Sequence, residues 1–265
     1  MASEVQDAGT MVSGWRGLYK LGGAAALIAA ILFRRNMAEE YLLGRLLGIF
    51  SSGPRGLPGS ALECFTVFHT HRLIGLTLLN LFDIANYALV ALIFLGLYAA
   101  LRRVGRGLMT LATSLTLMGT AIYLASNQAF AMLALSDRYW SAATDPQRAM
   151  LLAAGEALLA IQNTAATYGS GIYISYLLVN VAGLIAAAVM LRSAAFGRTT
   201  AYVGILAYAL GLGYYITNSF APALNVIPIA GSAPFLLIWY LRVGWRLLRI
   251  GREREVGAAF DGPVQ

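Results

Sequence analysis

Asp83 is the side chain best placed to do chemistry, because it is the only charged residue in the apolar stretch 73 to 101. A carboxylate among apolar neighbours in a membrane is costly, and by default it marks a proton or ligand pathway. At 100° per residue, Thr77, Asn80, Asp83 and Tyr87 fall on one helix face, with Asn86 beside them. A second apolar stretch, 107 to 135, repeats the pattern with Thr113, Thr116, Thr120, Tyr123 and Asn127, and with Ser126 and Gln128 near its end. The two stretches are separated by the short run Arg102 to Arg106, which predicts antiparallel neighbours. Counting outward from the middle of that run sets Asp83 level with Ala125 and Tyr87 level with Ala121. The candidate ligand-binding set is therefore Asn80, Asp83, Tyr87, Tyr123, Ser126 and Asn127. The alternative is that the polar stripes only join helices, since hydrogen bonds across membrane helices contribute ~0.6 kcal/mol on average and need have no other purpose.

A second group, Glu63, Cys64, His69 and His71, has metal-like residue types and is a weak candidate site. On a helix the two histidines would point about 160° apart, and only an extended backbone would bring them to one face. No other histidine exists to complete a three-histidine zinc site. The chain has no G-x-S-x-G elbow, no P-loop, no G-x-G-x-x-G after a strand and no C-x-x-C-H, so no cofactor is expected. Glu156, Gln162 and Asn163 form a third polar group, read as the wet face of an amphipathic helix unless that helix folds over Asp83 as a lid.

The elements that must carry these residues follow from composition. Hydrophobic residues make up 59% of the 265-residue chain and charged residues 12%, against roughly 45–50% and about 25% in soluble domains. With a mean hydropathy of +0.69, a soluble enzyme, a disordered tail and a solvated coiled coil are excluded. The single cysteine, Cys64, allows no internal disulfide.

A spanning helix needs about 20 mostly apolar residues. Six segments qualify, at about 17–33, 73–101, 107–135, 171–191, 199–220 and 226–248. The first has Glu4 and Asp7 ahead of it and no A-x-A site after it, so it reads as a retained span and not a cleaved signal. The expected fold class is an all-α integral membrane bundle of six helices over 17–250, flanked by tails at 1–16 and 251–265. Two further stretches suit amphipathic helices in the interface. Residues 37–50 set Tyr41, Leu42, Leu46, Ile49 and Phe50 against Glu39, Glu40 and Arg45. Residues 146–166 start with Thr144 or Asp145 as N-cap and Pro146 in the first turn; their apolar run is short, and spanning would make seven helices.

The net charge of +7 comes from arginines clustered beside apolar runs, which fits headgroup anchors and gives no stripe for nucleic acid. Twelve of the 19 basic residues fall on one side: Arg16 and Lys20, then Arg102, Arg103 and Arg106, then Arg192 and Arg198, then the five from Arg242 to Arg254. That places both termini in the cytoplasm and makes anionic lipid the expected partner at the cell membrane.

The stretches ASNQAFAMLALSDRYW (125 to 140), DPQRAMLLAAGEALLA (145 to 160), and VAGL, VMLRS and TAYVGI within 181 to 205 resemble a prokaryotic membrane family. So does GLTLLNLFDIANYALVALIFLGLYAALRR before them. The family is the domain-of-unknown-function family numbered 4386, and the similarity runs from about His71 to Ile250. The resemblance implies a multi-helix membrane protein of bacteria or archaea, and carries no activity, cofactor or site residue. Three functional readings remain: a bundle that binds or moves a small solute or protons through a polar cavity at Asp83, an accessory or structural subunit, and a membrane metalloenzyme using Glu63, His69 and His71.

Overall fold

The structure, a computed structural model, describes residues 17–33, 59–79, 81–162, 171–224 and 226–260. Asn80, Asn163, the 37–50 stretch and both extreme termini lie outside the described residues. The fold is all-α, with no strand among the described residues. The helices are α1 (Gly17–Phe33), α2 (Ala61–Thr70), α3 (Arg72–Leu78), α4 (Leu81–Ser126), α5 (Ala129–Ser141), α6 (Asp145–Gln162), α7 (Gly171–Met190), α8 (Arg198–Phe220) and α9 (Val226–Phe260).

Four stretches are long and apolar enough to cross a membrane: Leu81–Ser141, Gly171–Met190, Arg198–Phe220 and Ile227–Glu253. The first is 61 residues, about 90 Å if straight and three times a hydrocarbon core. It is not straight. The backbone leaves helical geometry at Gly105 (φ −157°, ψ 70°), and the rings of Tyr87 and Tyr123, equally far before and after that residue, stack at 3.9 Å. The two limbs of α4 are thus an antiparallel hairpin turned at one residue. The expected antiparallel pairing holds, but its register shifts: Tyr87 faces Tyr123 instead of Ala121, which by extension sets Asp83 opposite Asn127. The turn is centred on Gly105 and not spread over a loop from Arg102 to Arg106, because the helix continues through the arginines.

Two predicted spans also prove discontinuous. The stretch 73–101 is interrupted after α3 at Leu79, and 107–135 is interrupted at Asn127–Gln128 between α4 and α5. Helix α2 was not expected at all. It is announced by Ser60-Ala61-Leu62-Glu63: the Ser60 hydroxyl accepts from Glu63 N–H at 3.2 Å, and the Glu63 carboxylate accepts from Gly59 N–H at 2.7 Å. This is a capping-box arrangement, which satisfies amides that a helix start leaves orphaned. Helix α6 begins as expected, with the Thr144 hydroxyl facing Gln147 N–H and Pro146 in the first turn. It falls short of the length and hydropathy of the spanning stretches.

The chain divides into two compact units. One comprises Met1–Ile31, Ala88–Thr120 and Tyr176–Gln265. Its helices pack through small residues, as membrane helices must when no hydrophobic effect draws them together. A Cβ at Gly22 would lie 2.9 Å from the Gly96 Cα, so α1 and the first limb of α4 touch backbone to backbone. Gly183 receives the Tyr208 ring, and Gly204 receives Trp239. The Tyr19 hydroxyl donates to the Ala99 carbonyl, Gly251 lies against Tyr19 and Lys20, Arg242 donates to Thr200, and Arg246 donates to the Ala195 carbonyl. These contacts gather the start of α1, the Arg102–Arg106 bend, the 192–198 connection and the basic part of α9 at one end of the unit. The described basic residues of this unit that the sequence assigns to one side therefore lie near one another. Thr113 and Thr116 are buried and return their hydroxyls to Met109 and Ala112 of their own helix.

The other unit comprises Leu32–Tyr87 and Ala121–Ser175. Its core joins Cys64, Phe65 and Phe68 of α2 to Leu76 and Leu79, Ala129 and Met132 of α5, and Leu159 of α6. Glu156 is exposed, but its carboxylate accepts from Ala61 N–H at 2.8 Å, so α6 caps the start of α2.

Candidate functional site

The second unit holds the described members of the predicted polar set together. Breaking both helices changes what each residue does. Asp83 is not ten residues inside a helix, as expected, but in the first turn of α4, where the helix dipole favours an anion by about 0.3–1 kcal/mol. It is half-buried and acts electrostatically on the Tyr123 hydroxyl. Asn127 sits at the opposite break. Its side-chain oxygen accepts from Ala129 N–H at 3.0 Å, starting α5, and its amide nitrogen reaches the Leu79 carbonyl at 3.5 Å, the long limit of a hydrogen bond. One side chain thus touches both interruptions. The cause is local: a helix terminus leaves backbone groups without intrahelical partners, and Asn is among the side chains that supply them.

Around these breaks lie buried polar atoms with no hydrogen bond among the described residues. They are the Tyr123 hydroxyl, the Asn86 side-chain oxygen and the Ser175 hydroxyl. The Asn127 side chain lies near the Tyr123 hydroxyl, but no bond of normal geometry joins them. Tyr123 is 2% exposed and Ser175 0%. Each such group costs about 1–3 kcal/mol when left dry, which is unusual enough to need a reason. Gly171 brings the start of α7 against Ser126: a Cβ there would fall 1.7 Å from the Ser126 hydroxyl oxygen. Ser175 follows one turn later on the same helix.

The metal-like group is dispersed. Glu63 serves the cap of α2, the His69 ring stacks on Trp140 at 4.6 Å, and His71 is exposed between α2 and α3. Cys64 is buried, and burial, with Glu156 and Glu63 adding to it, pushes its thiol up to about 12. A thiol so hard to ionise is a poor nucleophile and a poor metal ligand. Among the described residues no three His, Cys, Asp or Glu side chains are grouped to hold a metal ion. Glu156 likewise serves α2, not Asp83.

The sequence reading missed the helix breaks and the Ser175 hydroxyl. The signal for the first was present: Asn80, Asn127 and Gln128 are polar residues able to serve helix ends, but inside apolar runs they were read as stripe members.

Residues 40–251 match the family model described as Domain of unknown function (DUF4386). No curated protein and no solved structure matches the chain.

Proposed function

The chain belongs to this family of unknown function, and from that premise we propose that it is a six-span membrane protein that moves a small polar solute or protons past the two opposed helix breaks. Discontinuous helices in a membrane are tolerated where other groups re-satisfy the freed backbone or where the break lines a polar cavity, and transporters place substrate and ion sites at such breaks. The observation that carries the reading is the company the breaks keep: the Asp83 carboxylate, and three buried polar atoms that make no hydrogen bond among the described residues. A passing solute or proton-carrying water would satisfy those atoms. In this reading the six passes are α1, the two limbs of α4, α7, α8 and α9. The basic end of the first unit faces the cytoplasm, with both termini there, while α6 lies in the interface.

The test uses the full chain in liposomes held at an inside-negative potential, with and without a mixture of amino acids, sugars and carboxylates outside. Wild type acidifies the lumen faster than Asp83→Asn, which keeps the shape and loses the charge. Equal rates for the two proteins under both conditions overturn the proposal.

A second reading has its own observation. Tyr87 and Tyr123 stack at 3.9 Å, a close ring contact that suits a packing subunit with no transport role. Co-purification of a stoichiometric membrane partner favours it. The metalloenzyme reading finds no support in the dispersed positions of Glu63, His69 and His71.

A further inference from the structure

We propose that the bend between the limbs of α4 is a binding site for the phosphate of an anionic phospholipid. Arg102, Arg103 and Arg106 line an open cleft of about 300 Å³. The two exposed members, Arg103 and Arg106, pair with no carboxylate among the described residues, whereas Arg246 and Arg249 share Glu253 at 3.8 and 2.8 Å. Glu253 is the only carboxylate among the described side chains of this unit, and it is taken by Arg246 and Arg249. Guanidinium groups lacking a carboxylate suit a phosphate, whose oxygens they bind in a bidentate fork.

The lipid source is favoured over a soluble phosphate by what lies next to the cleft. Val104, Leu108 and Leu111 are 41%, 46% and 48% exposed, and Leu108 and Leu111 share a face of the second limb running away from the arginines. A headgroup phosphate at the bend would set its acyl chains along that apolar face. The arginines sit at the end of the unit where Lys20 and the basic part of α9 also collect, so the site lies at the level of a headgroup layer.

Native mass spectrometry of the full chain in neutral detergent tests this, with phosphatidylglycerol, phosphatidylcholine or inorganic phosphate added. Wild type retains phosphatidylglycerol in preference to phosphatidylcholine. The double variant Arg103→Gln, Arg106→Gln binds phosphatidylglycerol about thirtyfold more weakly, from the worth of two arginines near an anionic surface. The control Arg192→Gln, Arg198→Gln removes the same charge from the same end and binds as wild type does. Equal losses in the two variants overturn the proposal in favour of a diffuse basic rim. Displacement of the lipid by millimolar inorganic phosphate overturns the lipid assignment, and equal retention of the two lipids overturns the site. Should the double variant fail to fold, Arg103→Lys with Arg106→Lys keeps the charge and loses the fork. It is expected to bind less tightly than wild type, and binding equal to wild type overturns the phosphate geometry.

Discussion

Tyr87 and Tyr123 stack within 8° of parallel with their ring centres 3.9 Å apart, although 36 residues separate them. That single contact fixes the register of the α4 hairpin and with it the neighbours of Asp83. It also buries the Tyr123 hydroxyl near the Asp83 carboxylate, and that hydroxyl makes no hydrogen bond among the described residues, which makes it the sharpest probe of the proposed pathway.

Tyr123→Phe removes a buried hydroxyl that makes no hydrogen bond among the described residues and keeps the stacked ring. Thermal unfolding in detergent should be unchanged or stabilised by up to about 1 kcal/mol, because a dry polar group has been deleted. The liposome acidification rate should fall. A loss of stability of about 1 kcal/mol or more means the hydroxyl is bonded, and removes it from the pathway.

Asn127→Ala deletes the acceptor for Ala129 N–H and the donor to the Leu79 carbonyl. The cost should be about 1–2 kcal/mol, mostly the lost cap at the start of α5, since the 3.5 Å contact is weak. Hydrogen exchange is the more specific readout: amides at the start of α5 should exchange faster while those of α8 do not.

Gly171→Ala drives a methyl group to within 1.7 Å of the Ser126 hydroxyl oxygen unless the backbone moves. Overpacking of this kind costs typically about 1–3 kcal/mol. Ser126→Gly in the same chain should recover most of that loss, and a double-mutant cycle gives the coupling. Additive effects mean that α7 does not start against Ser126.

The Cys64 thiol, held up at about 12 against an ordinary 9.0, gives a pH signature. Between those values the unfolded chain has lost the thiol proton and the folded chain keeps it. The folded state therefore binds more protons, and stability falls as pH rises through that window. Below pH 9.0 both states are protonated and the effect vanishes. Comparing wild type with Cys64→Ala isolates the term, and the alanine variant should show the shallower decline. Maleimide should label the native protein only on unfolding.

How much was legible depended on which physical signal each feature leaves. The all-helical class and the apolar stretches were readable because a membrane demands a long run of apolar residues. The basic end was readable because Arg102 and Arg192 each stop or flank such a run and Arg249 follows the last one, and the contacts of Tyr19, Thr200 and Ala195 gather this end of the unit. Asp83, Tyr87, Tyr123, Ser126 and Asn127 were found as a set, since polar residues in apolar surroundings stand out. Their roles were not. A hydropathy window averages over Asn127 and Gln128 and reports one continuous span, whereas their backbone geometry ends α4 and starts α5. Helix α2 was lost for a different reason: Thr66, Val67 and Phe68 carry β-favouring side chains, and the short helix is held by tertiary caps from Ser60 and Glu156. The Glu63 that supports that cap was weighed as a metal ligand instead.

Glu253 stands as the sole described carboxylate amid the arginines of the first unit. Guanidinium groups keep their charge at any pH a cell meets, and no described histidine belongs to that unit. Acidifying one compartment therefore takes no positive charge away from the described side chains at this end. Whatever anion these arginines attract, a later swing in acidity gives them no means of letting it go.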